Sequence, residues 1–259
     1  MSPVDVLEGW LQARLERAAA DWLREATSGA DASDRVFFKV MGRIPQRVGK
    51  AALALSSEEL AQAQASRPGW DPTDWTLDQA VRIYMLCRSA KEPARFADRL
   101  ERLFTAADLG EAQAYYRGLP LFPDPPRYRL RAEEGVRSNV RLLFESVAHR
   151  NPYPAEMFPD ASWNQMVLKA LFVGCPLGPI VGLDGRANPA LAHMLIDYAR
   201  ERWAARRTVN PELWRCVAPF ATGRMLDDLG KLLTLGTEED RQAALAALGR
   251  APDPGKPTR

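Results

Sequence analysis

NPYPAEMFPDASWNQMVLKALFVG, Asn151 to Gly174, carries the reading of the fold. Trp163, Met166, Val167, Ala170 and Leu171 recur at i, i+3, i+4, i+7 and i+8, the stripe that an α-helix turns toward a core. Leu168 and Phe172 widen that stripe, so the spacing predicts a helix over 161–173 that is buried on most sides. Gln165 and Lys169, four apart, share one narrow polar stripe, with Asn164 beside it. Lysine is rarely buried without a partner. Either Lys169 snorkels to water from a helix edge, or the stripe lines a cleft where it meets an anionic ligand or an internal carboxylate.

The same period runs outward in both directions. Toward the N-terminus, VLEGWLQARLERAAADWLREA places Val6, Trp10, Leu11, Leu15, Ala18 and Trp22 near one stripe. Asp31 or Ser33 can cap a helix around RVFFKVMGR, which Pro45 is expected to interrupt. Ser56 with Glu59, and Thr76 with Gln79, stand at capping-box spacing. PARFADRLERLF and DLGEAQAYYRGL add two short helices. The second half reads as helices near 132–149, 161–173, 189–207, 211–220, 222–234 and 238–249, with Asn188–Pro189 and Asn210–Pro211 as cap-plus-first-turn pairs and Thr237 facing Asp240. No strand cluster interrupts them. The expectation is an all-α fold of about a dozen helices. These stack as HEAT-like antiparallel pairs or form a compact irregular array; no fixed repeat period decides between the two.

LPLFPDPPRY is the one internal boundary signal, because Pro120, Pro123, Pro125 and Pro126 cannot sit in helix interiors. It divides the chain into an N-terminal helical layer, 1–118, a hinge, 119–127, a C-terminal layer, 128–250, and a tail, 251–259, expected to be disordered.

Composition narrows the function classes. A net charge of +2 over 259 residues gives no global attraction for nucleic acid or acidic membranes. Only six of the 35 basic residues are lysines. Cys87, Cys175 and Cys216 are odd in number, far apart and in no CxxC pair, which argues against disulfides and a zinc site and fits a reducing compartment. The N-terminus lacks the layout of a signal peptide, and no run approaches the roughly 20 apolar residues of a spanning helix. The expected location is the cytoplasm.

Three stretches could carry chemistry. The first is the stripe of Asn164, Gln165 and Lys169. The second is CPLGPIVGLDGRANP, 175–189, longer than the usual helix connection of about 2–8 residues. It presents Asp184 and Arg186 around Gly185 and follows the 161–173 helix directly, so it must fold back near it; Asp184 is the expected partner of Lys169. A tight turn, or an ion pair of Asp184 with Arg186, is the plain alternative. The third is His193 and Asp197, four apart with Arg200 nearby, a geometry that can orient an imidazole. They lie opposite the apolar stripe of Ala192, Leu195, Ile196, Ala199 and Trp203, which favours a solvated face. No nucleotide cradle, histidine-rich metal motif or nucleophile–base pattern occurs, so no cofactor and no metal is assigned.

RNPYPAEMFPDASWNQMVLKALFVGCPL, GLDGRANPALAHMLIDYARERWAA and ELWRCVAPF together resemble EboA-type metabolite traffic proteins, over about residues 149–220. The N-terminal half matches that family in helical character alone. The resemblance implies a mostly helical accessory protein of a secondary-metabolite biosynthesis and export system. Its partners would be a small metabolite precursor or enzymes of the same gene cluster, a membrane prenyltransferase of the UbiA type among them. It supplies no catalytic motif. The other reading is an enzyme acting on a small anionic or aromatic metabolite in a cleft around Lys169, Asp184 and Arg186.

Overall fold

The computed structural model describes residues 1–29, 33–89, 92–235 and 237–249. The fold is all-α: fifteen α-helices and four 3-10 turns, with no strand among the described residues. Asp31, the side chain of Asp240 and the tail 251–259 fall outside the described residues. No helix among the described residues is long and apolar enough to cross a membrane.

Two compact units divide the chain, Met1–Met157 and the segment from Phe158 onward. The proline-rich stretch 119–127, read from the sequence as the internal boundary, lies within the first unit. It forms two 3-10 turns, Leu119–Leu121 and Pro125–Tyr128, that bury Leu119, Phe122 and Tyr128.

The first unit runs α1 (Pro3–Arg14), α2 (Arg17–Gly29), α3 (Asp34–Val48), α4 (Ser57–Ser66), α5 (Leu77–Arg88), α6 (Pro93–Ala106), α7 (Leu109–Gly118), α8 (Arg129–Arg137), α9 (Arg141–Ala148) and α10 (Tyr153–Met157). Helix α5 is its axis. It packs on α1, α3 and α7 and buries every residue from Asp78 to Leu86. The second unit runs α11 (Asp160–Phe172), α12 (Pro189–Ala204), α13 (Trp214–Val217), α14 (Arg224–Leu235) and α15 (Glu238–Leu248).

Four helix boundaries differ from the sequence reading, each for a physical reason. Pro45 does not interrupt α3, which continues to Val48. A proline in a helix leaves the carbonyl four residues earlier without its donor. Here that carbonyl, on Met41, accepts a hydrogen bond from Arg82 Nη1 at 2.9 Å. The 132–149 segment is two helices, because the Ser138 hydroxyl accepts the Val140 amide at 3.1 Å and turns the chain out of the helix. The 211–220 segment breaks into 3-10, α and 3-10 turns around Pro211 and Pro219. The first amphipathic run is also two helices. Arg14, the last residue of α1, donates to Leu53 O at 2.6 Å and pairs with Glu59 at 2.6 Å, and the chain leaves the helix at Leu15. The stripe therefore does not continue. Val6, Trp10 and Leu11 are buried as expected, whereas Ala18 is exposed, Trp22 is half-buried, and α2 buries Leu23 and Ala26.

Arg82 is a buried charge of the first unit, 2% exposed. Besides Met41 O it meets Glu111 Oε1 at 2.9 Å. The other Glu111 oxygen closes the capping box of α7 on the Asp108 amide. Replacing Arg82 by Met leaves the Met41 carbonyl without this donor and Glu111 without its counter-charge. The denaturation midpoint should fall by the equivalent of about 3–5 kcal/mol; urea titration of the two proteins measures it.

Asp34, the first residue of α3, is reached by Arg99 at 2.9 Å, Arg95 at 3.1 Å and Arg102 at 3.3 Å. The Arg99 bond holds its carboxyl below the ordinary 3.8, against the opposing effect of burial. A lowered folded-state pKa stabilises the fold above the unfolded value, and that contribution drains away as pH falls through 3.8 toward the lowered one. Asp34→Asn should be less stable than the parent at neutral pH, with the gap closing on the acid side of 3.8. Parallel melts across the acid range read this directly.

Candidate functional site

The second unit's site is built around the end of α11. Trp163, Met166, Val167, Ala170 and Leu171 are buried as their spacing requires. Phe172 is not: it is 64% exposed and meets Tyr198 edge-on at 4.9 Å, so the helix keeps an outer face. Past Phe172, Cys175 N–H donates to Ala170 O at 2.8 Å and Gly174 N–H to Leu171 O at 3.3 Å. This is a Schellman stop, and it requires the positive φ, +69°, that Gly174 supplies.

The loop that follows is pinned along its length. Cys175, Leu177, Ile180 and Leu183 are its buried anchors. The Glu212 carboxylate accepts the amides of Leu177 at 2.8 Å and Gly178 at 2.9 Å. Asp184 takes two Arg215 nitrogens, at 3.1 and 2.8 Å. Arg186 reaches back to the start of α11, donating to Phe158 O at 2.8 Å and Asp160 at 2.6 Å, with its guanidinium 4.9 Å from the Trp163 ring. Asn188 caps α12 by accepting the Leu191 amide at 2.9 Å and exchanges two side-chain bonds with buried Asn164, at 2.9 and 3.2 Å.

Asn164 and Arg186 are joined through Asn188, whose side chain also donates to Arg186 O. Asp184, expected opposite Lys169, is engaged by Arg215. Gln165 is exposed, and Lys169 is half-buried on the outer stripe, where burial lowers its ammonium pKa below the ordinary value. His193 and Asp197 are exposed on α12; His193 Nδ1 lies 2.7 Å from Pro189 O of its own helix, and Asp197 is 3.4 Å from Arg200. Burial pushes the Cys216 thiol up to about 12, with the nearby Asp184 charge adding to the shift, which suits packing rather than nucleophilic attack. Trp203 stacks on buried Trp214 at 5.9 Å, making that pair an internal seam.

The first unit holds a cleft that the sequence reading missed. It opens where α1 ends and α2 begins, over α5, and encloses about 210 Å³. Leu11, Leu15, Ala20 and Leu23 supply apolar wall, Glu8, Tyr84 and Arg88 gather at a polar end, and Gln12, Arg24, Thr27 and Ser28 complete the lining. Arg88 lies 3.4 Å from Glu8, with its guanidinium 5.7 Å from the Tyr84 ring centroid. Burial raises the Tyr84 phenol pKa, Glu8 adds to the rise and Arg88 opposes it, so the hydroxyl stays protonated and can donate. A larger hollow, about 470 Å³ between α6 and α8, has Arg131 bridging Glu101 and Glu134 in its lining. No group of three or more metal-ligating side chains gathers among the described residues.

The model of the metabolite traffic protein EboA matches residues 4–218. The chain belongs to the EboA family. The match extends the motif resemblance, noted over 149–220, back through α1, α2 and α5, so the cleft lies within the EboA region as fully as the α11 loop does. No curated protein and no solved structure matches the chain. No local signal marked the cleft: Leu23 and Ala26 stand eight and eleven residues past Leu15, in the phase that a single continuous helix would also give them.

The Asn164–Asn188 exchange is the joint between α11 and the loop. Asn188→Ala removes a helix cap and strands the buried Asn164 amide, for a combined cost of roughly 2–4 kcal/mol. Amide exchange should speed up across 175–191 and leave α5 unaffected.

Proposed function

We propose that this EboA-family chain is a non-catalytic accessory protein of a metabolite-traffic system, binding a small precursor molecule in the α1–α2–α5 cleft. The observation that carries the reading is the cleft itself, in which an apolar wall of Leu11, Leu15, Ala20 and Leu23 faces polar groups, the arrangement that holds and orients small molecules. The polar end offers a protonated phenol donor, a guanidinium and a carboxylate, which are groups for recognition. Partner enzymes of the same system, a membrane prenyltransferase among them, are the candidates to receive the bound molecule.

A second reading places ligand contact around Asn164, Gln165, Lys169, Asp184 and Arg186, as carrier or enzyme. One observation favours it: Lys169 is a partly desolvated cation beside exposed Phe172.

Native mass spectrometry of protein purified from its own host separates the two. Ala20→Trp fills the cleft; it should abolish a co-purifying small-molecule adduct while the thermal midpoint holds. Lys169→Met, which keeps the packing stem and deletes the charge, should leave that adduct in place. An adduct that survives Ala20→Trp and is lost in Lys169→Met moves the site to α11.

A further inference from the structure

We infer that the α1–α2–α5 cleft selects a small monocarboxylate with a compact apolar body, Arg88 being its receptor and Glu8 the group that its arrival displaces. This rests on the cleft reading given above and adds the chemical class of the ligand.

The charges at the cleft reduce to one pair. Arg24 lines it too, but is held by Asp21 at 3.0 Å, and both are exposed. That leaves Glu8 and Arg88 facing each other beside Tyr84. Their closest approach is 3.4 Å, through Glu8 Oε2, while Glu8 Oε1 accepts a bond from Gln12 at 3.4 Å. Elsewhere in the chain a guanidinium grips a carboxylate with two nitrogens: Arg14 on Glu59 at 2.6 and 2.8 Å, and Arg215 on Asp184 at 2.8 and 3.1 Å. Planar guanidinium and planar carboxylate match in that forked geometry, and most of the specificity of the pair comes from it. Glu8 is attached to α1 and reaches Arg88 with one oxygen. It occupies the anion position without completing the fork.

A free carboxylate has no such tether. Entering along the wall of Leu11, Leu15 and Leu23, it can present both oxygens to Arg88 and take a third bond from the Tyr84 hydroxyl. The Glu8 and Arg88 side chains are 34% and 45% exposed, so parting them is cheap in water and Glu8 can turn outward. An ammonium would meet Glu8 but also the Arg88 charge. An alcohol would gain neither ion pair. About 210 Å³ suits a one-ring or short-chain body.

Phenylacetate, 2-phenylethanol and phenethylamine share one ring and one chain length and differ in the end group. Ligand-observed NMR titrations of the full chain, with Arg88→Met, Glu8→Gln and Ala20→Trp beside the parent, test the inference. Phenylacetate should bind at least about tenfold more tightly than the alcohol, the factor set by one charge-assisted pair. Arg88→Met should erase that preference, and Glu8→Gln should strengthen phenylacetate binding several-fold by removing the internal competitor. Equal affinity for acid and alcohol, or a preference that survives Arg88→Met, overturns the inference. Should Arg88→Met fail to fold, Glu8→Gln decides alone, and no gain in phenylacetate affinity overturns it. Binding of the alcohol or amine that Ala20→Trp blocks, with no advantage for the acid, removes the carboxylate and keeps the cleft. Titrations indifferent to Ala20→Trp for all three probes remove the cleft as well.

Discussion

The hydrogen bond from Arg82 to the Met41 carbonyl is the constraint around which the first unit is arranged. Pro45 sits in the last turn of α3 and cannot supply that carbonyl's donor. An unpaired carbonyl inside a core costs about 1–3 kcal/mol. The donor comes from α5, and it is a charge, so a counter-charge must follow it inward. Glu111 provides it from α7 while still capping its own helix. Three helices are fixed in register by one guanidinium. Tyr115 closes the far side, its phenol pKa pushed up by burial.

The same use of arginine recurs. Arg14 donates to Leu53 O, Arg67 to Pro120 O, Arg117 to Asp74 O, Arg186 to Phe158 O and Arg202 to Thr208 O. Each carbonyl lies at a helix end or in a connection, where the helical ladder leaves acceptors over. A long side chain with five donors satisfies them from a neighbouring element and keeps its charge near water or a carboxylate. The scarcity of lysine therefore has a structural use: a guanidinium serves a carbonyl and a carboxylate together in fixed geometry, which an ammonium does less well.

Helix identity was legible because it depends on local spacing. Ser56–Glu59 forms its capping box, Asn188 caps α12, and the apolar stripe of α11 is buried residue for residue. What failed depends on distant groups. Nothing in RVFFKVMGRIP announces that an arginine thirty-seven residues past Pro45 will rescue the helix. Nothing local in LQARLERA marks the break at Leu15, since no glycine or proline stands there; the break coincides with Arg14 being held by Leu53 and Glu59. The candidate site also turns on distant groups. Long polar side chains in a Gly/Pro loop signal function or loop fixation equally well, and only the geometry assigns Arg186 to Asp160 and Asp184 to Arg215.

The break at Leu15 explains why a cleft exists in that place. A continuous helix would have carried the α1 stripe onward and sealed it against α5. Turning the chain instead lets α2 bury only Leu23 and Ala26 and pack mainly on α3, so the wall it contributes stands off from α1. A helix with so little buried apolar surface draws little of its stability from the core. A ligand seated between α1 and α2 adds the missing contacts on one side only. By linkage, the free energy it gains there stabilises α2 against local opening by the same amount. Occupancy of the proposed cleft site and order in α2 are then one equilibrium.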